Sequence, residues 1–268
     1  MVLAAEPQPG SILYQVEASQ ARARTVFRLK FAAVWVVLIG LLLVGLYATG
    51  NIDTAFIAEW GPFILLGAPI TVLLSVVSII LATGLAIVGS VARLSRNPYI
   101  NGVASLYVSL VRGTPLLVQI FFIYFALPQF GVVIASIPAG IMALSFNYGA
   151  YMTEIFRAGI QAVPRGQREA AQALGMPERM VMRRIVLPQA FRIVIPAIGN
   201  DFVAMIKDSA LVSTIAVQEL LWRSETVGTR FFRTLEALII AAAIYWMLTI
   251  VFSWAQERLE RRMARGDR

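Results

Sequence analysis

An all-α membrane protein with about six transmembrane helices is the fold class this sequence predicts, on three observations. Of the 268 residues, 59% are hydrophobic and only 14% charged, whereas a soluble domain runs about half apolar and a quarter charged. Uncharged runs of about twenty residues, enough to cross a bilayer core, recur along the chain. Arginines gather in the short segments between those runs. The mean hydropathy of +0.75 leaves an apolar surplus that no small soluble fold can hide, because most of such a protein's surface still faces water.

The net charge of +8 would suggest nucleic acid for a soluble protein. Cationic residues placed between apolar runs indicate membrane topology instead, so no nucleic acid partner is expected. There is no cysteine and no histidine. Disulfides and thiolate chemistry are excluded, and the usual metal ligand and neutral-pH base are missing. These absences count against an enzyme.

The elements follow in order. About thirty largely polar residues precede the first apolar run, and no small-residue cleavage site follows it, so the start is not a secretory signal. Residues 1–30 are read as a cytoplasmic lead, poorly ordered over 1–20. The first span is 31–49, preceded by Arg22, Arg24, Arg28 and Lys30. The second, 63–92, is bounded by Glu59 and Arg93. No residue between Arg112 and Glu154 is charged, and that stretch is broken by Pro128, Gly131 and Pro138. It divides into a third span, about 110–128, and a fourth, about 138–158, with a short interfacial helix over 98–111. A polar loop occupies 162–184. The fifth span, 185–206, contains Arg192, Pro196, Asn200 and Asp201. The sixth, 237–255, carries Trp246 and Trp254, suited to an interface.

Six spans with both termini inside place segments 1–30, 93–112, 157–192 and 257–268 in the cytoplasm. They hold four, three, seven and five Lys/Arg, together 19 of the 23 in the chain. The first outer loop, with Asp53 and Glu59, holds none. This satisfies the positive-inside rule.

The loop 163–190 reads V-P-R-G-Q-R-E-A-A-Q-A-L-G-M-P-E-R-M-V-M-R-R-I-V-L-P-Q-A. Residues 167–174 are strong helix formers. Gly175 stands where a helix ends in a left-handed cap. Pro177 suits the first turn of a second helix running to Leu187, with Glu178 near its positive end and Pro188 opening the next element. The expectation is a helix, a sharp turn and another helix. Ala170, Ala171 and Ala173 give the first helix a small side that a partner's groove can approach closely, and Arg168 and Glu169 add polar contacts at its rim. Alanine is also simply a good helix former, so this motif alone leaves an ordinary capped helix equally open.

Glu169-Ala170-Ala171, then Gly175, Ile185 and Leu187-Pro188, resemble the EAA loop of ABC importer permeases. Arg112-Gly113-Thr114-Pro115 with Leu116-Leu117-Val118-Gln119 resembles the segment opening a central helix in permeases for polar amino acids. So do Tyr148-Gly149-Ala150-Tyr151 with Glu154, Arg157-Ala158-Gly159-Ile160, and Pro196-Ala197-Ile198-Gly199-Asn200. The resemblance covers about 60–256, with the EAA loop about 163–188, and leaves 257–268 as a basic cytoplasmic tail. It implies a type I ABC importer permease-like core of five helices, to which 31–49 adds an N-terminal one. One departure is that Lys207-Asp208 is followed by Ser209-Ala210-Leu211, where members often have two hydroxyl residues and a leucine.

The resemblance implies two permease subunits forming the pathway, the second being the same chain or a homologue. Two cytoplasmic ATPases would each hold one loop, in which Arg168, Glu169, Ala170, Ala171, Ala173, Leu174, Gly175 and Pro177 couple to hydrolysis. An extracytoplasmic solute-binding protein would deliver a polar amino acid. ATP and magnesium belong to the ATPase, and this chain holds no cofactor: it contains no G-x-x-x-x-G-K-S/T loop. Gly84 and Gly89 are read as close-packing positions in a span. Met152, Met176, Met180 and Met182 are helix-contact filler, not a metal site.

Polar groups at membrane depth are functional candidates by default. Asn200, Asp201, Lys207, Asp208 and Ser209 qualify, with Arg112, Thr114 and Glu154 near span ends. A zwitterionic substrate needs donors and acceptors, so Lys207 suits a carboxylate and Asp201 or Asp208 an ammonium. The alternatives are that Lys207 and Asp208 pair with each other or lie at the outer surface, and that Arg112 and Glu154 are structural. Pro196 and Gly199 suggest a broken helix lining a cavity. Two rival readings remain: an ion-gradient-driven secondary amino acid transporter, which would show an inverted repeat not visible here, and an intramembrane enzyme, which lacks paired carboxylates within one span.

Overall fold

The computed structural model describes residues 12–48 and 52–264. Among them every regular element is helical, in accord with the all-α expectation. The chain divides into two compact units, Met1–Thr54 and Ala55–Arg268.

The first unit is built on α1, Ile12–Ala48. The helix therefore starts inside the segment expected to be poorly ordered, while residues 1–11 and the span's last residue, Thr49, lie outside the described residues. No glycine or proline stands between Gly10 and Gly40, so the helix propagates back from the apolar run at little cost. Phe27, Phe31 and Trp35 stack along one edge, with ring centroids 6.2 and 6.0 Å apart.

The second unit begins with α2, Thr54–Leu65, and α3, Ala68–Arg93. The expected second span is thus interrupted at Leu66 and Gly67, where prolines at 62 and 69 limit backbone bonding. Next come α4, Pro98–Arg112, and α5, Leu116–Phe121. A helix forms over the expected 98–111 stretch, with the Asn97 side chain accepting from the Tyr99 amide at 2.9 Å as its N-cap. Beyond α4 the chain bends by 107° into 116–130. There α5 passes into a π-helical turn, Phe122–Ala126, and a 3-10 turn, Leu127–Phe130, which ends at left-handed Gly131.

Then follow α6, Ser136–Ala162, α7, Arg165–Ala173, and α8, Glu178–Val181. A second π-helical turn, Met182–Val186, runs directly into α9, Leu187–Asp208. After a 3-10 turn, Ser209–Ile215, come α10, Leu220–Arg230, and α11, Thr234–Ala264. The basic tail is helical as far as Ala264, and 265–268 fall outside the described residues.

Helices stand at all six expected span positions. By length and composition, Arg22–Gly45, Thr54–Arg93 and Thr234–Met263 suffice to cross a bilayer, and α4 with 116–130 adds a fourth only where that bent pair is counted as one span. A count of six rests on α6 and α9, which are long enough but more polar.

α6 is the central strut, and its contact with α3 is the most extensive in the unit. Leu74, Ala82, Ala86, Leu144, Met152 and Phe156 fill their shared core. Small residues let the backbones approach. A Cβ on Gly89 would lie 2.3 Å from Thr153 Oγ1, and one on Gly159 would lie 2.4 Å from a Val194 methyl. Gly84, expected to serve the same purpose, has nothing within 4 Å.

Candidate coupling loop and polar groups of the spans

The loop between α6 and α9 has its own small core. Ile160, Val163, Ala171, Val181, Val186 and Ala190 are buried together, with Leu94, Met176 and Ile185 packed against them. α7 ends in a full Schellman cap: the Met176 amide donates to Ala171 O at 3.1 Å and the Gly175 amide to Gln172 O at 2.9 Å. Gly175 has φ +76, a left-handed backbone that a side chain would strain. The Gln172 amide then donates to Glu178 Oε2 at 2.9 Å, tying α7 to α8.

Two residues of the loop face other than expected. Ala171 is turned into the loop core and is only 4% exposed, so the open small side consists of Ala170 and Ala173, beside Glu169 and Leu174. Ala171 lies one turn after Arg168, the other residue of α7 that faces inward. Arg168 is not at the rim. Its Nη2 donates to Ile160 O at 2.9 Å, and its Nε is buried without a partner. Leu174, at 83% exposed, and Pro177 are open.

Pro188 does not open a separate element. Because α8, the π turn and α9 are continuous, the second helix of the loop runs straight into the fifth span position. The wide π turn precedes the proline by two residues, just as the turn at Phe122–Ala126 precedes Pro128, and relieves the crowding a proline ring causes on the preceding turn.

The expected break at Pro196 and Gly199 is also absent: α9 is unbroken across both. Gln256 of α11 covers this stretch, donating to Pro196 O at 3.2 Å and to Asn200 Oδ1 at 3.0 Å. A Cβ at Gly199 would lie 2.6 Å from the Gln256 side chain. Close packing, rather than a freed backbone, is the use made of this glycine.

The remaining polar candidates fall into three groups. Tyr148 donates to Asp208 Oδ2 at 2.7 Å, so Asp208 is engaged by α6. Lys207 is exposed, Ser209 is buried and donates to Ile206 O at 2.8 Å, and Asp201 has one carboxylate oxygen buried without a hydrogen-bond partner. At the 107° bend, the Gln119 amide donates to Val111 O, Thr114 O and Thr114 Oγ1 at 2.8–3.1 Å, and Asn147 donates to Gln119 Oε1 at 3.2 Å. Glu154 accepts from Arg93 at 3.0 Å and from Arg157 at 2.9 Å. Arg93 also reaches Asn101 and Ser105, joining α3, α4 and α6. Arg112 lies over the Tyr151 ring, 5.1 Å from its centroid.

Glu219 escaped the sequence reading. It is fully buried and accepts from Tyr245, from Thr71 Oγ1 at 3.3 Å and from the Trp222 amide at 2.9 Å, so it caps α10 and ties it to α3 and α11. The available signal was an acid immediately before an apolar helix start. Among the described residues no group of His, Asp and Glu is arranged to hold a metal.

A helical membrane bundle with polar groups between its helices and a rigid, exposed helix-turn-helix between two of them has the build of a membrane transport component. The chain belongs to the family of binding-protein-dependent transport system inner membrane components, whose sequence profile matches residues 85–265. The arginine transport system permease protein of Bacillus subtilis (strain 168) is 40% identical over 81% of this chain and 100% of its own length. The L-cystine transport system permease protein of the same organism is 41% identical over 73% of this chain and 84% of its own. The crystal structure of an amino acid ABC transporter with histidines superposes with a TM-score of 0.75 at 39% identity, covering 79% of this chain and 99% of that one. An inward-facing MetNI methionine ABC transporter shares the fold at 17% identity, with a TM-score of 0.63.

Proposed function

We propose that this chain is the membrane-spanning permease subunit of an ATP-driven importer for a polar amino acid, with both termini in the cytoplasm. Two cytoplasmic ATPase subunits bind ATP and magnesium, and each receives one loop around Glu169. A second permease, this chain or a homologue, completes the pathway, and an extracytoplasmic solute-binding protein delivers the cargo.

The observation that carries the reading is the construction of the loop. α7 presents Glu169, Ala170, Ala173 and Leu174 outward while Ala171 anchors its other side in a private core. A rigid helix with an exposed leucine and small residues suits a groove on a partner. The relatives named for arginine and L-cystine support an amino acid as cargo. Asn200, Asp201, Lys207, Asp208, Ser209, Thr114 and Glu154 remain the candidate groups along the pathway. Among them the free carboxylate oxygen of Asp201 and the exposed Lys207 supply the opposite charges a zwitterion needs.

The test is copurification with the ATPase from co-expressing cells, followed by uptake of radiolabelled amino acids by proteoliposomes. Glu169→Lys and Leu174→Asp are expected to abolish association and uptake together. Unchanged association in both variants sinks the docking role, and uptake without ATP favours a secondary transporter.

A further inference from the structure

α7 follows α6 after only Val163 and Pro164. A two-residue link leaves the angle between two helices free unless other contacts fix it. Here two contacts do. Ala171, Val181 and Val186 pack with Ile160 and Val163. Arg168 reaches back from α7 so that Nη2 donates to Ile160 O at 2.9 Å.

That carbonyl is one of the last four of α6, which have no acceptor role within their own helix. It also lies at the negative end of the α6 dipole, where a cation is favoured. The guanidinium therefore makes a charge-assisted bond, roughly twice as strong as a neutral one. Its Nε is buried with no partner, so the side chain keeps this position although one donor is left over. A surface arginine free to turn outward would hydrate that donor instead. α6 in turn grips α3 through the Gly89–Thr153 approach and the Glu154–Arg93 pair.

We propose that Arg168 is a positioning residue that makes α7 part of the rigid body of α6, so that displacement received at Glu169 and Leu174 moves α6 instead of flexing the loop. This rests on the reading of the loop as the ATPase docking element. Without the clamp, α7 keeps its docking face but is held to α6 by the Ala171 core alone and no longer follows it rigidly.

The chain contains no cysteine, so Ile137→Cys, exposed at the far end of α6, reports that end alone. The full permease with its ATPase is reconstituted in lipid nanodiscs, and maleimide labelling is timed without nucleotide and after trapping with ATP and vanadate. With Arg168 present, trapping is expected to change the labelling rate severalfold, as the far end of α6 moves between the two states. Arg168→Met keeps the apolar stem and removes the donor. It is expected to bind the ATPase with unchanged affinity and to lose the change in labelling. Arg168→Lys, which restores a charged donor, is expected to recover at least part of it. If the Met variant does not accumulate, Arg168→Gln takes its place with the same expectation. The proposal is overturned if trapping leaves labelling unchanged with Arg168 present, if the Met or Gln variant responds as fully as Arg168, or if Lys is no better than Met or Gln. Glu169→Lys and Leu174→Asp chains that both still bind the ATPase normally mark failure of the docking reading instead.

Discussion

Replacing Gly89 with alanine tests the central strut directly. The new Cβ would lie 2.3 Å from Thr153 Oγ1 and 3.0 Å from its Cγ2, where non-bonded carbon atoms rest at about 3.5–4.0 Å. Thr153 cannot swing away, because it is fully buried and its Oγ1 donates to Gly149 O at 2.7 Å. α3 and α6 must therefore separate by roughly 1 Å along this contact. Overpacking of this kind costs about 1–3 kcal/mol. Thr153→Ala removes both clashing atoms and loses one hydrogen bond, about 1 kcal/mol. The double variant is thus expected to be more stable than the sum of the single effects predicts, by about 1–2 kcal/mol. Unfolding of the detergent-solubilised protein, followed by intrinsic tryptophan fluorescence across the four-member cycle, measures this. Strict additivity would refute the contact, and with it the account of how α6 holds α3.

Three further outcomes are expected. Gly175→Ala forces a side chain into the left-handed backbone at φ +76, a strain of about 1–2 kcal/mol, visible as faster amide exchange over 165–181 with the spans unaffected. Glu154→Gln removes the carboxylate shared by Arg93 and Arg157, whose side chains are 25% and 28% exposed, and a cycle with Arg93→Gln should return a coupling of about 1–2 kcal/mol by thermal unfolding. Glu219→Ala strands the Trp222 amide and Tyr245 and is expected to destabilise by about 3 kcal/mol, with Glu219→Gln closer to wild type in the same assay.

What was legible in the sequence was whatever is decided within a few residues. The helix over 98–111 and the turn at Gly175 were legible, because a proline-led helix start and a left-handed cap are local choices. The inward turn of Ala171 and Arg168 was not legible, since it depends on where α6 ends in space. Glu219 was missed for the same reason: its partners Thr71 and Tyr245 are 148 and 26 residues away. Pro196 misled in the opposite direction. A proline licenses a break, but Gln256 from α11 holds the unbroken helix at that point. The helical start at Ile12 shows how far a strong apolar run extends helix into a polar flank that contains no breaker.

The π turn at Met182–Val186 also sets the phase of α8 relative to α9. Each residue of an α-helix advances the chain by roughly 100° about the axis, and the widened turn inserts one residue beyond the regular repeat. The compass bearing of α8 relative to α9 is therefore an integer property of chain length between Glu178 and Leu187. Substitutions can only nudge it. Deleting a single residue would restore a regular helix and turn Val181 by more than a quarter of a circle, away from the core it shares with Ala171, so this stretch can vary in composition yet not by one residue in length.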